Sequence, residues 1–129
     1  MIDRLTGTLL QAGPDACVVD VHGLGIRVEV PTSVAHQLGR TGEQVTLLTQ
    51  LVIPGNDPTP RLFGFLSEEG RELFRMLQSV AGIGPSSALK IAGSQPSPGQ
   101  VAVAIARGDA KAIKVKGVGP KLAKRVITE

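Results

Sequence analysis

Two short strings hold most of the chemistry this chain can offer. Residues 81–93 read AGIGPSSALKIAG and residues 116–127 read KGVGPKLAKRVI, so Gly-x-Gly-Pro followed by an amphipathic segment occurs twice, with a period of 35 residues from Gly82 to Gly117. The paired glycines permit positive φ and carry no Cβ to hold another backbone away. Pro85 and Pro120 preset the first turn of a following helix and give up an amide that a helix start leaves without a partner. The remaining amides point outward with the positive end of the helix dipole, which is a phosphate-binding geometry. In the second copy Lys121, Lys124 and Arg125 follow the hairpin, while Leu122, Ala123, Val126 and Ile127 supply an inward face. In the first copy Ser86 and Ser87 stand where Lys121 and Leu122 stand in the second, and Lys90 stands opposite Arg125. A serine hydroxyl can donate to a phosphate without bringing charge, so the first copy should grip more weakly.

A competing reading takes both strings as helix C-caps, since Gly at a C-cap and Pro beyond it are routine. Two copies, the second with three basic residues behind it, favour the phosphate reading. Neither string has the third glycine of a dinucleotide fingerprint, and both follow helical sequence instead of a strand. A P-loop is excluded because no Gly-Lys-Ser/Thr ending occurs.

These hairpins need elements to carry them. The first half reads as β: LTGTLLQAG, ACVVDV, GIRVEVP, EQVTLLTQLVI and RLFGFL are rich in β-branched and large apolar residues, and turn residues fill the gaps. Between the third and fourth strands TSVAHQLG suggests one or two helical turns, with Val34 and Leu38 four apart. Five strands with a short helix after the third is the order of an OB-fold barrel. The second half reads as α. Ser67 can cap a helix from Glu68 to Val80, Ser97 and Gln100 form a capping box with Pro98 at the first helical position, and Asp109 can cap AKAIKV. The fold class is therefore α+β by domain: residues 1–65 a five-stranded barrel, residues 66–129 an all-α domain built as helix, tight hairpin, helix, twice over.

Composition bounds the function. With 42% hydrophobic and 19% charged residues the chain is of ordinary globular type. No apolar run approaches the ~18 residues of a membrane span, and Met1-Ile2-Asp3-Arg4 leads into strand-like sequence without a signal peptide, so a cytoplasmic protein with no membrane partner is expected. The single cysteine, Cys17, lies in the apolar run ACVVDV and reads as a core residue. Charge is unevenly split: residues 1–65 carry four basic against six acidic residues, and residues 66–129 ten basic against five acidic. Lys111 to Arg125 holds six Lys/Arg and no acid, which reads either as a solvated basic helix or as a footprint for a polyanion. The only aromatics are Phe63, Phe65 and Phe74, all in apolar contexts, so base stacking on single strands is poorly served and duplex backbone contacts are the better expectation. The acids Asp3, Asp20, Glu29 and Glu43 are scattered and His22 and His36 stand apart. No catalytic group, metal or cofactor is expected.

GIGPSSAL and GVGPKLAKRVI resemble the hairpins of tandem helix-hairpin-helix DNA-binding domains. Together with VVDVHGLGIRVEVP, TGEQVTLLTQLVI, LFGF and EEGRELFRMLQSVAGIGP, they make the whole chain similar to the bacterial RuvA family of Holliday-junction branch-migration subunits. That resemblance implies a homotetramer, single or paired, that holds a four-way DNA junction open for a RuvB-type ring ATPase motor. It also implies phosphate contacts from Gly82, Ile83, Gly84, Ser86, Ser87 and Lys90 in the first hairpin. In the second, the implied contacts are Gly117, Val118, Gly119, Lys121, Leu122, Lys124 and Arg125. The family carries a pair of adjacent acids, a pin at the crossover, before the LFGF-like strand. Here the segment is IPGNDPTPR, longer and proline-stiffened, with Asp57 its only acid and Arg61 close behind. A pin role for Asp57 with half the usual charge is implied. The sequence stops at VITE with no helix terminator, and a truncated chain lacking the family's motor-docking domain is expected. The runner-up is a fragment of a DNA-repair glycosylase or excision nuclease, although after Gly119 the only acid is Glu129. An interaction module without nucleic acid is a third reading.

Overall fold

The computed structural model describes residues 1–55 and 57–109. The chain divides into two compact units, Met1–Arg71 and a second beginning at Glu72.

The first unit contains β1 (Arg4–Ala12), β2 (Ala16–Val21), β3 (Leu24–Glu29), α1 (Thr32–Ala35), β4 (Gln44–Val52) and β5 (Arg61–Phe65). They close into a barrel in the order β1-β2-β3-β5-β4, with β1 also paired to β4 and a parallel β3–β5 seam. This is the OB-type arrangement that the strand order and the short helix after β3 predict. Period-two alternation turns Leu5 and Leu9 of β1, Cys17 and Val19 of β2, Val28 of β3 and Leu47 of β4 into one core, with Val30, Val34 and Leu62 completing it. Phe63 and Phe65 of β5 are also buried. Burial raises the Cys17 thiol above its ordinary value, so it stays protonated and inert. The β2–β3 connection is the tight pair His22-Gly23, both at positive φ, and Asp20 Oδ1 accepts from the Gly23 amide at 2.8 Å.

Helix α2 (Glu68–Gln78) opens as its sequence requires: Ser67 Oγ accepts the Gly70 amide at 3.1 Å, and Glu68 and Glu69 face the dipole. Arg71 is buried and forked between acids. Its Nη1 donates to the Asp3 carboxylate at 2.9 Å and the Asp3 carbonyl at 2.8 Å, and its Nη2 donates to the Glu68 carboxylate at 2.8 and 2.9 Å. These bonds tie the N-terminal segment to the first turn of α2 and hold the Arg71 guanidinium firmly protonated.

In the second unit the remainder of α2 buries Leu73, Phe74 and Leu77. α3 (Pro85–Ala92) buries Ala88, Leu89, Ile91 and Ala92, and α4 (Pro98–Ala106) buries Val101 and Ala104. The predicted capping box is present: Ser97 Oγ accepts the Gln100 amide at 3.2 Å and lies 3.1 Å from Gln100 Oε1. The segment after α4 turns at Gly108 with φ of 69°. The helix expected after Asp109 lies outside the described residues.

Candidate nucleic-acid interface

The first hairpin is built from the end of α2 to the first turn of α3. The Val80 amide donates to the Leu77 carbonyl at 3.2 Å, and the Ile83 amide folds back onto the Val80 carbonyl at 3.0 Å. Between them Gly82 takes φ of 85°, a left-handed conformation that only glycine adopts without strain. Ile83 points inward and is 5% exposed. With its side chain buried and its amide engaged, Ile83 is the peg that seats the hairpin.

Gly84 differs from Gly82. It is the N-cap of α3 in ordinary extended conformation, φ −83° and ψ 177°, and not at the positive φ the sequence pattern allows. Among the described residues, a Cβ built on Gly84 would meet nothing within 4 Å beyond its own chain neighbours. No described residue calls for glycine there, and the missing side chain leaves bare backbone on that side. Pro85 follows at the first helical position, and the first internal bond of α3 runs from the Ala88 amide to the Gly84 carbonyl at 2.9 Å. The Ser86 and Ser87 amides lie ahead of that bond, at the positive end of the dipole. Gly82, Gly84, Ser86 and Lys90 are exposed and Ser87 is half-buried. Ser86 and Lys90 are one turn apart and share a face of α3. The structure thus brings the first-copy residues together on one ridge, Ile83 excepted. Gly117, Val118, Gly119, Lys121, Leu122, Lys124 and Arg125 of the second copy lie outside the described residues.

The loop of residues 53–60 joins β4 to β5, whose last register pair before it is Val52↔Arg61. Asp57 is fully exposed and its Oδ1 accepts the Thr59 amide at 3.1 Å. Hydrogen bonds from the Thr59 backbone and side chain hold the Asp57 carboxyl below its ordinary value, with a smaller contribution from the charge of Arg61. The aspartate accepting an amide two residues on makes this an Asx-type turn. Arg61 was read only as a cation near Asp57. In the structure it is engaged by Glu29 of β3: Arg61 Nε donates to Oε2 at 2.9 Å and Nη2 to Oε1 at 2.7 Å. That fork keeps Arg61 protonated. Nothing in a pair 32 residues apart announces itself locally, and only the strand order of the barrel would have brought the two together.

Among the described residues, no three His, Cys, Asp or Glu gather where a metal ion could be held, and no helix is long and apolar enough to cross a membrane. The fold and the hairpin define the class: an OB-type barrel followed by a helix-hairpin-helix.

Comparison with known proteins narrows the class to a family. Residues 1–64 match the model of the RuvA N terminal domain, and residues 74–129 match that of a SAM-like helix-hairpin-helix tandem. Similarity over the whole of this chain extends to proteins named Holliday junction branch migration complex subunit RuvA. That of Methylibium petroleiphilum is 42% identical over 100% of this chain and 66% of the relative. That of Sinorhizobium medicae is 42% identical over 100% of this chain and 62% of the relative. That of an Acidovorax species is 38% identical over 100% and 67%. The chain belongs to the RuvA family, and it spans 62% to 66% of the length of the first of these relatives.

Proposed function

We propose that the protein binds four-way DNA junctions through the sugar-phosphate backbone, as a non-catalytic homotetramer, and holds the junction open for branch migration in recombination and repair. The observation that carries this reading is the ridge around Gly82–Ser87, where no described residue stands against a side chain at Gly84, in a chain whose relatives are named Holliday junction branch migration complex subunits. Backbone contacts suit a protein that must let DNA slide, because phosphates carry no sequence. A fourfold ring offers the same surface to each of four arms, so protein symmetry matches that of the DNA. In this reading the barrel, residues 1–65, forms the oligomer and the junction centre, and residues 66–129 grip the arms. Gly82, Gly84, Ser86, Ser87 and Lys90 meet phosphate in the first hairpin; Gly117, Val118, Gly119, Lys121, Leu122, Lys124 and Arg125 do so in the second. Asp57 is the pin at the crossover. The partner is a RuvB-type ring ATPase, recruited through the part of the family's length that this chain does not span. Chromosomal DNA as substrate makes the cytoplasm its compartment.

The test is a gel-shift titration of the purified chain against a synthetic four-way junction and a linear duplex of the same arm sequence, at two salt concentrations. Strong junction preference with affinity falling steeply in salt is the expected result. Equal binding to both substrates overturns it, and metal-dependent cleavage or base release would mark a repair-enzyme fragment instead.

A further inference from the structure

The barrel closes where β3 meets β5, and the register pair across that seam is Glu29↔Phe63. The Glu29 carboxylate also spans the seam, taking one edge of the Arg61 guanidinium in a two-point fork at 2.7 and 2.9 Å. The guanidinium carbon lies 5.0 Å from the centroid of the Phe63 ring, whose side chain is fully buried. Arg61 is therefore held by two residues of the barrel wall. It is also the residue that directly follows the loop 53–60, a segment with one acid, Asp57, and no Lys or Arg of its own.

The position matters because of sign. A guanidinium at the root of this loop with no acidic partner would offset the charge of Asp57 and supply donors to a phosphate. Paired with Glu29 it contributes no net charge, and the loop meets DNA with Asp57 as its net charge. We infer that Glu29 is a positioning residue for the acidic loop, holding Arg61 against the barrel seam so that the loop repels backbone phosphate instead of binding it. The inference rests on the junction reading above, in which this loop stands at the crossover.

Charge sequestration and simple bracing predict different signs. Glu29→Gln leaves the Arg61 charge uncompensated. Junction affinity should rise several-fold at low salt, and the salt slope should steepen by about one for each Arg61 that reaches a phosphate. Arg61→Gln leaves the Glu29 charge beside the loop and should weaken junction binding. The double variant, Glu29→Gln with Arg61→Gln, should return close to the unsubstituted affinity. A fluorescent base analogue at the crossover should report less opening in Glu29→Gln and undiminished opening in Arg61→Gln, while affinity for linear duplex stays constant throughout. Thermal melting of each variant accompanies the titrations. If both single variants shift junction affinity in the same direction, in proportion to lost melting temperature, the pair is only a brace and the inference falls. If the unsubstituted chain itself binds junction and duplex equally, the junction reading falls and takes the inference with it; the two failures are read on different proteins.

Discussion

The chain presents two tips to its surroundings, the loop of residues 53–60 on the barrel and the hairpin around Gly82–Ser87, and they are made in opposite ways. The barrel tip is braced by side chains: Asp57 bonds the Thr59 amide, three prolines limit the backbone, and the Glu29–Arg61 fork fixes the root. The helical tip is braced by backbone: a left-handed Gly82, an Ile83 amide folded onto Val80, and a buried Ile83 side chain. One exposes a carboxylate and the other exposes amides at a helix start. A protein that must hold a polyanion and also keep part of it at a distance needs both kinds, and residue type alone separates them. Glycine next to a helix N-terminus attracts phosphate, whereas an ionised carboxylate on a stiff loop repels it.

The strongest way to break the helical tip is to remove its peg. Ile83→Ala should cost about 2–5 kcal/mol in the second unit, by analogy with other large-to-small core changes, and abolish junction binding. Chemical denaturation and gel shift check the two effects. The two glycines then sharpen what each contributes. Gly82→Ala should destabilise by about 1–2 kcal/mol because its left-handed φ strains any Cβ. Gly84→Ala should leave the melting temperature almost unchanged and yet weaken junction binding, since the added methyl meets no described residue and stands in the way of an incoming backbone. A Gly84→Ala protein that binds normally would remove the main reason for placing DNA against this ridge.

A smaller effect would make the first copy resemble the second. Ser86→Lys should tighten binding and steepen the salt slope by about one per phosphate gained, and Lys121→Ala should do the reverse. Titrations across a salt series measure both. The smallest effect concerns the barrel tip. Because hydrogen bonds from Thr59 depress the Asp57 value in the folded protein, the stabilisation they give the loop is present above the ordinary carboxylate value and is lost only as pH falls through the lower folded value. Asp57→Asn should therefore bind the junction equally or more tightly, by an increment that stays constant between about pH 5 and 8 and vanishes only in stronger acid. Clearly looser binding by the variant would count against the repelling role.

Most of the barrel could be read before it was seen, because alternation in ACVVDV or RLFGF is a local signal that a half-buried strand imposes residue by residue. The helix starts at Ser67 and Ser97 were legible for the same reason: a cap and its amide partner are three residues apart. What escaped was of two kinds. Arg71 finds one of its two acids, Asp3, 68 residues away, and Arg61 finds Glu29 32 residues away, and sequence spacing says nothing about partners that only the tertiary fold brings together. Within the hairpin, Gly-x-Gly specified the turn but not the division of labour. The pattern treats Gly82, Ile83 and Gly84 alike as candidates for contact, and only the dihedral angles and burial separate the conformational glycine, the peg and the bare approach.

The seam between β3 and β5 also bears on how the molecule is made. As the chain is synthesised from its N-terminus, β1 to β4 can pair through β1–β2, β2–β3 and β1–β4 before β5 exists, yet β3 and β4 then keep open edges. Such edges recruit other strands. Only Arg61–Phe65 shuts both at once, pairing with β4 along its length and with β3 at Glu29. The nascent barrel is therefore most exposed to mispairing with another chain in the interval before β5 emerges, and a polypeptide cut before Arg61 should precipitate instead of folding.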